Sequence, residues 1–123
     1  DRGLVRRGVT RIDALQHAGV NTAVASDNIR DPFRPFGNGD MLEEALFTCQ
    51  VLSRGTQEGM RDTIDMVTKN AAAASGKLRY GVQPHAPADL VLVAAKSVKQ
   101  AIIEQRERLM VVKNGVILRE DIP

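Results

Sequence analysis

A chain of 123 residues, 43% hydrophobic and 26% charged, has the composition of one folded globular domain and not of a disordered tail. No run approaches the roughly 18 apolar residues of a membrane span, and a formal charge of +2 is too small to argue for nucleic acid or an anionic membrane. A single cysteine, Cys49, excludes an internal disulfide framework and any cysteine-only metal site, so a cytoplasmic setting is expected.

The basic start, with Arg2, Arg6, Arg7 and Arg11, lacks the apolar stretch that a signal peptide carries behind such charges. With no interleaved aromatics it is expected to be a solvated end and not a nucleic-acid surface. The first predicted helix runs from about Thr10, a candidate cap, to Ala18, with Gly19 as its left-handed stop. Asn21 to Ala25 follows as a run of small and β-branched residues without polar alternation, the pattern of a strand buried on both faces of a parallel sheet. That strand is expected to end at Ser26-Asp27-Asn28.

Ser26 to Asp40 reads as a loop, longer than most connections between such elements, and it holds two of the four aromatic residues, Phe33 and Phe36. These rings either cover a ligand or plug the loop onto the core. Asp40 then opens a helix to about Arg54, with Glu43 at the third position and Leu42, Ala45, Leu46, Cys49 and Leu52 on one face. Cys49 on that face is expected to be a buried, inert thiol. A second helix is predicted from Thr56 to Lys69, and a short helical turn over Ala71–Ala74 closes at Gly76.

Beyond Tyr80 the pattern becomes β-rich. Asp89 to Val93 is predicted as a strand, and Ser97 caps a helix to about Arg106. Two further strands flank Lys113-Asn114-Gly115, an Asn-Gly hairpin signal. The expected division is residues 1–78 and residues 79–123.

Catalytic signatures are scarce. Two histidines, His17 and His85, stand far apart, and no HxH, HExxH, CxxC, phosphate-binding loop or dinucleotide fingerprint occurs. Asp27 is the position to weigh, because the carboxyl end of a buried strand is where α/β folds place catalytic groups. Aspartate is also a common opener of loops, so a turn cap bonding backbone amides stands beside that role. Arg30 and Asp31 are candidates to meet a substrate or to pair with each other, and His17 and His85 read as surface or packing residues.

A resemblance links these pieces. Arg6-Arg7-Gly8-Val9-Thr10-Arg11, Ala18-Gly19-Val20-Asn21 and Ser26-Asp27-Asn28-Ile29-Arg30-Asp31-Pro32-Phe33 resemble the last barrel segment of bacterial cytosine deaminases. The likeness continues through Pro35-Phe36-Gly37, Gly39-Asp40-Met41-Leu42, Met66-Val67-Thr68 and Tyr80-Gly81. Ala86-Pro87-Ala88-Asp89-Leu90 and the Lys113-Asn114-Gly115 hairpin are shared with the wider amidohydrolase superfamily.

The resemblance implies an α/β fold: the last strand and helices of a (β/α)8 barrel, followed by the C-terminal strands of a small β-sandwich. It implies a metal-dependent hydrolase that deaminates an amino-substituted nitrogen heterocycle with water activated by zinc or iron. Asp27 would be the metal ligand and proton shuttle, and Asn28 and Phe33 would line the substrate pocket. Asn28 stands where the enterobacterial enzyme has a second aspartate facing the substrate, a departure that counts against cytosine itself. Phe33 matches a tryptophan lying over the pyrimidine, so a smaller aromatic lid is implied.

The family's histidine pair and its other ligands are not among these residues, and a complete barrel takes about 250 residues. The chain is therefore expected to be a C-terminal piece of a longer enzyme, needing the N-terminal barrel portion. Alone it is expected to be inactive, to hold no metal tightly and to self-associate through its uncovered apolar faces. The alternative is a non-catalytic remnant that acts in self-association or partner binding.

Overall fold

A computed structural model describes residues 8–120. Of the arginine-rich start, only Arg11 falls within the described residues, as do all the candidate site residues. Five helices and three strands follow in the order α1 (Ile12–His17), α2 (Met41–Val51), α3 (Gln57–Val67), α4 (Lys69–Ala74), β1 (Leu90–Val93), α5 (Val98–Glu104), β2 (Arg108–Lys113) and β3 (Val116–Glu120).

The helices start where polar caps satisfy free backbone amides. The Asp40 side chain accepts from the Leu42 amide, Thr56 from Gly59 and Ser97 from Gln100. Thr10 does not cap α1. Arg11 occupies that place without a side-chain bond, and its carbonyl closes the first turn by accepting from the Leu15 amide at 3.2 Å.

Helices α2, α3 and α5 enclose the core. Ala45, Cys49, Met60 and Ile102 are buried together, and Leu42, Leu46, Ile64, Val67 and Val98 pack around them. Cys49 is the buried thiol that its place on the apolar face predicts. Ile102 and Val98 come from beyond residue 79, so α5 shares the core of the preceding helices. Arg54 fastens α1 to this body, donating to Asp13 Oδ1 at 2.7 Å and to Gln16 Oε1 at 2.5 Å.

One sheet forms among the described residues, three-stranded and antiparallel in the order β1-β2-β3. Asn114 and Gly115 join β2 to β3 with φ of 48° and 79°, the left-handed pair that a two-residue hairpin requires. Asp89 clamps this turn. Its Oδ1 accepts from the Asn114 amide at 2.9 Å, and its Oδ2 meets Lys113 Nζ.

The strand predicted at Asn21–Ala25 is a correction. The segment forms no ladder among the described residues, because no other strand lies alongside it. The helices hold it instead: Val24 N donates to Met66 O at 3.1 Å and Asn70 Nδ2 to Thr22 O at 3.2 Å. Thr22 is buried, whereas Ala23 and Ala25 remain exposed.

Candidate functional site

Where the extended segment ends, the chain turns sharply. Asp27 has φ of 55° and Arg30 has φ of 53°, left-handed values that non-glycine residues adopt at a cost. Asp31 organises the turn that follows. Its Oδ1 accepts from the amides of Phe33 at 3.0 Å and Arg34 at 2.9 Å, and its Oδ2 meets Asn28 Nδ2. Gly37 lets the far side of the loop close, since a Cβ there would lie 2.6 Å from the Asn28 carbonyl oxygen.

The turn-cap role weighed for Asp27 falls on a different residue. Asp31 caps the turn. Asp27 is exposed, and its carboxylate has no hydrogen-bond or ion-pair partner among the described residues. No ion pair joins Arg30 to Asp31 among them either. Arg34 of this loop pairs with Glu44 of α2.

A cleft of about 280 Å³ opens here. Asp27, Asn28 and Phe33 all border it, together with Arg34, Glu44 and Phe47. Phe33 lies at its edge with 71% of its surface exposed. Beneath it, Arg34 Nη1 donates to Glu44 Oε2 at 2.7 Å, and Nη2 stands against Oε1 as an ionic contact without hydrogen-bond geometry. The hydrogen bond to buried Glu44 holds the Arg34 guanidinium above its usual pKa, outweighing the loss of solvation. The Phe47 ring covers the guanidinium, 5.9 Å from its centroid.

Sequence reasoning missed this pair. A carboxylate beside the apolar face of a predicted helix is the available signal for Glu44, since such a group needs a cation once buried. Arg30 and Arg34 are equally placed along the chain to supply it.

A divalent metal held by protein takes about three donors. No group of three or more His, Cys, Asp or Glu residues gathers among the described residues. They do not fit a metal by themselves, and Asp27 offers one free donor. A larger cavity, about 600 Å³, lies between α2, α3 and the sheet, with Tyr80 and Val82 in its wall. None of Asp27, Asn28 and Phe33 borders it.

Comparisons with known proteins give the same family throughout. Residues 5–119 match an amidohydrolase family model. The N-isopropylammelide isopropyl amidohydrolase of Pseudomonas sp. strain ADP is 43% identical over 108 residues, 87% of this chain and 27% of that protein. A pterin deaminase of Rhizobium rhizogenes is 32% identical over 95% of this chain and 26% of its own length. The chain therefore spans about a quarter of the length of the curated relatives it matches. The solved structure of 5-methylcytosine deaminase from Klebsiella pneumoniae, liganded with phosphonocytosine, superposes with a TM-score of 0.81 at 31% identity, over 94% of this chain and 28% of that one. The chain belongs to the amidohydrolase family, in its cytosine deaminase-like branch, whose C-terminal portion it matches.

Proposed function

We propose that this chain supplies the carboxylate and the aromatic lid of a hydrolase that removes an amino substituent from a nitrogen heterocycle. The unpartnered Asp27 carboxylate, on a left-handed turn at a cleft bordered by Asn28 and Phe33, is the observation that carries this proposal. The relatives are named as an N-isopropylammelide amidohydrolase, a pterin deaminase and a 5-methylcytosine deaminase, and each name denotes a substituted nitrogen ring.

Asp27 would be one ligand of a zinc or iron ion whose other ligands lie outside these residues. When bound, such an ion supplies water acidified toward neutral pH. The Asp27 carboxylate takes a proton from the attacking water and holds it for the departing amine. Phe33 lies over the ring, and Asn28, drawn toward Asp31, presents its remaining polar surface to the substrate. In this proposal residues 1–78 belong to the barrel and residues 79–123 to the small sandwich, in a cytoplasmic enzyme. Exposed Leu78, Val82 and Phe36, each at least 87% accessible, support burial against the rest of a longer protein or a second copy.

In the complete enzyme, Asp27→Asn should keep the fold and lower kcat by about 10²-fold or more, the scale of lost general base catalysis. Phe33→Ala should act mainly on KM. Near-normal turnover of folded Asp27→Asn would remove Asp27 from the chemistry. The 123-residue chain alone should release no ammonia from 5-methylcytosine or pterin, with or without added zinc or iron.

A further inference from the structure

Building on the role proposed for Asp27, we propose that Arg34 and Glu44 are positioning residues that fasten the peptide carrying Asp27 to helix α2. Nothing bonds to the Asp27 side chain among the described residues, so its place is set by its backbone. The carbonyl immediately before it, Ser26 O, accepts from Arg34 Nη1 at 3.3 Å. The same nitrogen donates to Glu44 Oε2 at 2.7 Å. Glu44 is 2% exposed on a helix whose Ala45 and Cys49 are in the core, so the anchor belongs to the rigid part of the molecule.

Arg34 grips the loop from its other end as well. Its amide is held by Asp31 Oδ1 at 2.9 Å, and its carbonyl accepts from the Gly37 amide at 3.1 Å. Its backbone thus belongs to the turn that carries Phe33, while its guanidinium reaches the peptide that carries Asp27. One residue sets the spacing between the carboxylate and the ring. Compensating the charge of Glu44 would need only a cation, and the additional bond to Ser26 O is what charge compensation leaves unexplained. A lysine keeps the positive charge, but its ammonium ends one bond short of Nη1, so it keeps the ion pair with Glu44 and loses the already long bond to Ser26 O.

The test uses the complete enzyme with N-isopropylammelide as the probe, measuring kcat, KM and the thermal midpoint. Arg34→Lys should lower kcat by about 10-fold or more through misplacement of the carboxylate, with KM changed less than about threefold. Arg34→Met/Glu44→Leu leaves no buried charge unpaired, so it should keep a parental midpoint and show the same kcat loss. In the Asp27→Asn background, Arg34→Lys should cause no further loss, because a positioning residue acts through the group it positions. Parental kcat in Arg34→Lys, or kcat losses that add to that of Asp27→Asn, would overturn the proposal while leaving Asp27 its role. Near-parental turnover of Asp27→Asn would overturn that role and this proposal together. Should the apolar double variant fail to fold, Arg34→Lys and its combination with Asp27→Asn still decide.

Discussion

Two of the places where the molecule bends through left-handed residues do so on opposite terms. At the tip of β2 and β3 the residues are Asn114 and Gly115, the types that accept such angles most readily. In the loop between Ala25 and α2 the non-glycine ones are Asp27 and Arg30, which accept them less readily than glycine. The hairpin tip follows from its own two residue types, with Asp89 reaching it from just before β1 as a clamp. The loop is held from within by Asp31, Gly37 and Arg34 and, from helix α2, by the buried Glu44. Under the role proposed for Asp27, the loop accepts a backbone cost that the hairpin tip avoids.

Removing the tether should strike the loop hardest. Arg34→Ala leaves Glu44 charged and buried, which should destabilise the protein by about 3–5 kcal/mol, measured by chemical denaturation. A loss below about 1 kcal/mol would mean that the loop holds without its tether.

Exchanging the residue types sharpens the contrast at a scale of about 1 kcal/mol. Asp27→Gly should relieve the left-handed cost and leave the protein as stable or slightly more so, while abolishing turnover of the complete enzyme. Gly115→Ala should do the reverse, destabilising the hairpin by about 1 kcal/mol and sparing turnover. If Asp27→Gly destabilises the fold, the aspartate is serving the turn and not the cleft.

The smallest effect belongs to the hairpin clamp. The hydrogen bond to Lys113, then that to the Asn114 amide, hold the Asp89 carboxyl below its usual pKa. A depressed carboxylate adds stability above its unfolded pKa, and this is lost as pH falls through the folded value. The hairpin should therefore be indifferent to pH between about 5 and 8 and weaken below about 4. Asp89→Asn should remove that acid dependence, followed by amide exchange across β2 and β3.

What local rules govern is legible in the chain. The caps at Asp40, Thr56 and Ser97, the apolar face holding Ala45 and Cys49, and the Asn-Gly hairpin all follow from residues within a few positions of one another. Asn21–Ala25 is different, because a ladder depends on a second strand and no property of the segment supplies one. The candidate site divides in the same way. Asp27, Asn28 and Phe33 are near in sequence and share a cleft. Asp31 carries a mark that Asp27 lacks, the following Pro32, which favours a turn there; which arginine reaches Glu44 is decided by the path of the loop, since Arg30 and Arg34 carry no local mark to separate them.

The seat of Ile102 has a consequence in time. Helix α5 is made well after α2, yet Ile102 is fully enclosed by the earlier helices, and Gln105 Nε2 donates to the Leu42 carbonyl at 3.1 Å. At about 5–20 residues per second, synthesis leaves α2 and α3 with their shared apolar faces open for several seconds before α5 emerges. The anchor for the loop is unfinished throughout that interval. The cleft gains its finished anchor only after α5 has been made.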